Sequence, residues 1–63
     1  MTISEKKFEI ALSNSNLTVT QLAERIGLSR GRLHTILNQK NVRPKTIYKI
    51  SMGLGVEPTE IIE

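Results

Sequence analysis

Cysteine is absent from this chain of 63 residues, which excludes a disulfide framework and any Cys-ligated zinc site. Aromatic residues are nearly absent too: Phe8 and Tyr48 are the only two, so a core must be built from aliphatic side chains. No apolar run approaches the roughly 20 residues of a membrane span, and the first residues lack a signal peptide's apolar segment. A cytosolic chain with no membrane partner is the expectation. His34 is the single histidine, with no Cys or Asp in the chain to partner it, so neither an enzyme nor a metal site is expected. "GLGVEP" holds a Gly-x-Gly, but it follows a helical pattern where a dinucleotide fingerprint needs a strand. No phosphate-loop pattern is present, and no cofactor is expected. At this length one domain spans residues 1–63. Folding at this size hides only about 60% of the unfolded surface. That leaves little room for a pocket, and no small-molecule ligand is expected.

Acid is missing from one long stretch. Arg25, Arg30, Arg32, Lys40, Arg43, Lys45 and Lys49 occur with no Asp or Glu among them. Glu5, Glu9 and Glu24 precede that stretch, and Glu57, Glu60 and Glu63 follow it. The net charge is only +3, so placement says more than size. A solvated surface usually mixes its signs, and this segregation points to a patch that faces a polyanion. Lys45 and Lys49 read as ordinary solvated lysines on a fourth helix.

Helical periodicity dominates what is present. A first helix is expected from about Ser4 to Ser13, with Phe8 and Leu12 on one face and Ala11 beside them. "SNSN" at residues 13–16 reads as a polar break. Thr18, with Gln21 three residues later, has the spacing of a capping box. Leu22, Ala23 and Ile26 give the second helix its buried stripe, and Gly27 suits the left-handed position past its end. Ser29 offers the next N-cap, and Leu33, Ile36 and Leu37 are the core face of a third helix. After "NQKNVR", Pro44 opens a fourth helix. Ile47, Ile50, Met52 and Leu54 are its expected apolar positions, and Tyr48 is expected to pack its ring inward with the hydroxyl at the surface. Pro58 starts a short closing helix, Glu60 suits its positive end, and Ile61 and Ile62 turn inward. The expected fold class is all-α, a compact bundle of five short helices.

Two short helices joined through "IGLS" form the informative unit, residues 18–38. The pattern is helix-turn-helix, in which the second helix enters the DNA major groove. At about 100° per residue, Gly31, Thr35 and Asn38 point away from Leu33, Ile36 and Leu37, with Arg32 and His34 on the flanks. Glycine in a helix interior costs about 1 kcal/mol relative to alanine. At Gly31 its use would be to let the backbone approach base edges closely. Arg30 and Arg32 are the expected guanine readers, because a guanidinium fork matches the O6 and N7 acceptors. The Thr35 methyl suits a thymine methyl. His34 is expected to meet a phosphate, a base or water.

The text from Leu17 to Ile62 resembles the repressor and Cro family of phage helix-turn-helix proteins, also called lambda-repressor-like or XRE. "TQLAERIGLS", "RPKTIYKISMGLGV" and "EPTEII" carry the resemblance in order. It implies a five-helix lambda-repressor-like fold that binds double-stranded DNA as a dimer on a two-fold operator and controls transcription, commonly as a repressor. It places Arg30 and Gly31 among base-contacting residues, Thr35 one turn later, and Ser29 as a cap that also touches DNA. Thr18, Val19 and Thr20 fall at the phosphate-holding start of the second helix. Asn38, Lys40, Asn41 and Arg43 lie in the segment that grips the sugar-phosphate backbone. Relatives often carry a polar amide at the position of Val19 and Gln or Ser at that of Gly31, which leaves the inherited base code open at both. Many also pair Arg and Glu where Leu12 and Leu37 stand, so here Leu12 is expected to pack on Leu37. Dimer contacts are expected from Val56 to Glu63 and the loop before Pro44. So small a surface suits weak self-association that strengthens on DNA. Two rival readings use the same fold. One is an antitoxin or other protein-interaction module, which would be expected to carry an extra segment. The other is the DNA-binding domain of a regulator that continues past Glu63.

Overall fold

The computed structural model describes residues 1–63 and contains four α-helices: α1 (Glu5–Ser15), α2 (Val19–Ile26), α3 (Arg30–Leu37) and α4 (Pro44–Leu54). Local signals fix most of their ends. The Ser4, Thr18 and Ser29 side chains each accept from a backbone N–H three residues on, at 3.2, 3.1 and 3.1 Å. At Thr18 the box is closed, since its own N–H donates to Gln21 Oε1 at 2.9 Å. Pro44 begins α4 without a side-chain cap, needing none at its missing N–H. Gly27 and Gly55 end α2 and α4 with φ of 78° and 75°, a region closed to most side chains.

The fifth helix is absent as such. Pro58–Glu60 is a single 3-10 turn, held by i to i+3 bonds from Glu60 N–H to Glu57 O and from Ile61 N–H to Pro58 O. It cannot lengthen because the residues after it are taken by the N-terminus. Ile62 bridges Ile3 in antiparallel fashion, Ser4 N–H donates to Ile61 O at 2.8 Å, and Glu63 N–H donates to Thr2 O at 3.0 Å.

The core is aliphatic with one aromatic. Leu22, Leu33, Ile47, Ile50 and Ile61 are completely enclosed, joined by Ile3, Phe8, Ala11, Ala23, Ile36, Val42 and Leu54. Leu12, Ile26, Leu37 and Ile62 are half-buried at its margin. Helix α2 packs most intimately on α4: a Cβ placed on Gly53 would lie 2.6 Å from Ile26 Cγ2 and 2.9 Å from Leu22 Cδ1. Arg25 donates across the same contact to Gly53 O at 3.3 Å.

Three sequence expectations are corrected. Helix α1 runs past Ser13 to Ser15, because the Ser15 hydroxyl turns back to donate to Leu12 O at 2.7 Å and so does not compete with the helix. Asn16 then supplies the stop, in the left-handed region at φ 60° that asparagine tolerates. Tyr48 and Met52 are outside the core, 57% and 63% exposed. They lie one turn apart on the face of α4 opposite Ile47, Ile50 and Leu54. No helix is long and apolar enough to cross a membrane.

Candidate nucleic-acid interface

Gly27, Leu28 and Ser29 are all that separates α2 from α3. Leu28 N–H donates to Ala23 O at 2.8 Å, which closes α2, and Ser29 opens α3. So tight a turn, with Leu22, Ala23, Leu33 and Ile36 buried beneath it, sets the two helices as one unit. Helix α3 then projects Arg30, Gly31, Arg32, His34 and Thr35 into solvent, with Asn38 exposed at its end.

That face has a defined relief. No heavy atom lies within 4 Å of a Cβ position at Gly31, so the helix surface there is an open notch. Thr35 donates its hydroxyl to Gly31 O at 3.0 Å, which uses its proton on the backbone. Its methyl and remaining lone pairs stay available. Asn38 Nδ2 donates to His34 O at 3.1 Å and covers a carbonyl of the last turn.

Two flanks adjoin α3. On one, Val19, His34, Leu37 and Asn38 border a groove with Leu12 and Phe8. Leu12 and Leu37 thus line one groove, which Glu5 and Glu9 of α1 line as well. At the head of α2 the Gln21 N–H is taken by Thr18, while the N–H groups of Val19 and Thr20 have no partner within the helix. Two such donors at the positive end of a helix suit a phosphate oxygen. On the other flank, Arg32, Arg43, Lys45 and Lys49 border a second groove with Leu28 and Ile36. Lys45 and Lys49 are exposed on α4, as expected of solvated lysines, and border the same groove as the arginines.

The connection from Asn38 to Arg43 carries Lys40, Asn41 and Arg43 on its exposed side. Its anchor is Val42, 2% exposed and part of the core. Sequence reasoning overlooked Val42, although an isolated valine in a polar loop is a signal for such an anchor. Nowhere do three His, Cys, Asp or Glu side chains converge in a way that could hold a metal ion.

Two capped helices, a glycine turn and an outward second helix without a single acid define a DNA-binding helix-turn-helix unit. The match extends well beyond that unit. The family model for the Cro/C1-type HTH DNA-binding domain covers residues 7–63, and the chain belongs to that family. Comparison with curated proteins and with solved structures gave no significant match.

Proposed function

We propose that this chain is a sequence-specific regulator of transcription, of repressor type, that seats α3 in the major groove of a two-fold operator. The observation that carries the reading is the outer face of α3: an open notch at Gly31, arginines on either side of it, free backbone donors at the head of α2 on one flank and cations on the other. Arg30 and Arg32 are the candidates for guanine recognition, with Ser29, Gly31 and Thr35 completing the surface against the bases. Thr18, Val19, Thr20, His34, Asn38, Lys40, Asn41 and Arg43 would hold phosphates on either side and fix the register. Repression would follow from occupancy, a bound protein excluding polymerase from overlapping sequence.

A two-fold operator calls for a symmetric pair of protomers. The surface from Val56 to Glu63 with the loop before Pro44 is the proposed contact. It is small, so the pair forms weakly in solution and firmly on DNA. Sedimentation of the free protein at micromolar concentration should show mostly monomer.

Selection from a random-sequence duplex pool at two salt concentrations tests the reading, for the wild type and Arg30→Ala. Enrichment of a palindrome, relaxed at one symmetric base pair in the variant, supports it. Salt-sensitive binding without any enriched site would reduce the basic face to a general polyanion surface and refute sequence-specific regulation.

A further inference from the structure

The connection between α3 and α4 has an unusual dependence. Residues 40–42 belong to no helix, and every hydrogen bond they make goes to Met1 or Thr2. The Met1 amino group donates to Asn41 Oδ1 at 2.9 Å and to Val42 O at 3.2 Å. Val42 N–H donates to Met1 O at 2.6 Å, and the Thr2 hydroxyl donates to Lys40 O. The same N-terminal residues are tied at their other edge, where Glu63 N–H donates to Thr2 O and Ile3 bridges Ile62. Ile3 itself is buried in the core. Met1–Ile3 thus forms a strap between the closing segment of the chain and the loop that carries Lys40, Asn41 and Arg43.

From this geometry we infer that the strap is a positioning element for the phosphate grip. The inference rests on the DNA-binding reading given above. Three physical points support it. Val42 is buried, so its N–H and C=O must be paired, and Met1 supplies both partners. Asn41 has its Oδ1 fixed by the Met1 amino group, which turns the Nδ2 donors outward, the only polarity of that amide useful to a phosphate oxygen. Lys40 has its carbonyl held by Thr2, which fixes the backbone from which its long side chain departs. The strap also lies ahead of residue 7, where the family match begins, so it is outside what that match accounts for. None of its atoms belongs to α3. The strap therefore sets how firmly DNA is held and leaves alone which sequence is chosen.

Thr2→Val, which keeps the shape and removes the hydroxyl, tests this, with Thr2→Ser to restore it. Amide exchange of Val42, whose N–H is held by Met1 O, reads the loop in the free protein. Titration of the selected duplex over a range of salt, with ethylation interference, reads the grip. Thr2→Val is expected to speed exchange in the loop and weaken DNA binding about fivefold, the value of one ordinary hydrogen bond. The salt slope should flatten by about 0.9 per phosphate lost, interference should fade at the loop's phosphates, and the preferred sequence should not change. Thr2→Ser should return all of these to wild-type values. Unchanged exchange overturns the proposal, and so does faster exchange with an unchanged slope and footprint, which would make the strap a matter of stability only. A wild-type protein that selects no duplex would instead sink the DNA-binding reading, and the strap's role with it.

Discussion

Replacing Gly31 by alanine separates what the fold wants from what DNA binding wants. Gly31 is the second residue of α3, keeps a negative φ, and has no heavy atom within 4 Å of a Cβ position. The methyl therefore enters open space in a conformation that alanine favours. Glycine costs about 0.5–1 kcal/mol relative to alanine within a helix, and the first turn justifies the lower figure. A gain of about 0.5 kcal/mol corresponds to a rise of about 2–4 °C in the melting temperature of a domain this size. Against DNA the sign reverses. If the backbone at Gly31 approaches base edges, a methyl there is an overpacked contact costing about 1–3 kcal/mol, or roughly 5-fold to 150-fold in affinity. No phosphate contact is lost, so the salt slope should match the wild type. Calorimetry on the free protein and fluorescence anisotropy with the selected duplex, each at two salt concentrations, measure both effects. A lower melting temperature would refute the reading of open space. Unchanged affinity would refute close approach as the reason for the glycine.

Gly53→Ala should do the opposite to stability. Its Cβ would press on Ile26 Cγ2, a methyl on a branched carbon with little rotamer freedom, so overpacking outweighs the helix-propensity gain. A loss of about 1–2 kcal/mol is expected in urea unfolding, and a melting temperature equal to or above the wild type's would show that α2 and α4 separate freely. Leu12 and Leu37 border one groove, so Leu12→Ala and Leu37→Ala should be coupled by at least about 0.5 kcal/mol in a double-mutant cycle; strict additivity would mean that they do not touch.

What could be read from the sequence was local chemistry. The boxes and caps at Thr18 and Ser29, the glycine stop at 27 and the proline starts at 44 and 58 each act within four residues, and each stands where that chemistry puts it. Tyr48 and Met52 have the apolar character of core residues but not the angle. At 100° per residue both fall well away from Ile47, Ile50 and Leu54, beside Lys45 and Lys49, and the projection that worked on α3 would have excluded them from the core. Ser51 shows the converse, a polar residue enclosed because it lies on the inner stripe, its hydroxyl satisfied by donating to Tyr48 O at 2.8 Å. The strap and the shortened closing helix were out of reach for another reason. Their partners lie about 40 to 60 residues away, and no periodicity carries that pairing.

Helix α3 combines departures from helix-favouring chemistry that α2 and α4 show only in part. Like α2 it has only eight residues, too few to be stable alone, and it adds a glycine in its first turn. Arg30 and Arg32 sit at its positive end, where α1 carries Glu5. Only Leu33 and Ile36 are fully buried along it, and its one favourable end is the Ser29 cap. A sequence under selection for stability alone would place an acid and an alanine there. Tertiary burial, and the tight turn from α2, hold this helix in place against its own preferences. Departures of this kind concentrate where a surface has work besides folding. Each of them has a use if an anionic groove faces the helix: the cations at its head gain partners, and the missing side chain gives clearance. The same residues that make α3 a poor helix in water suit it to a surface lined with phosphates.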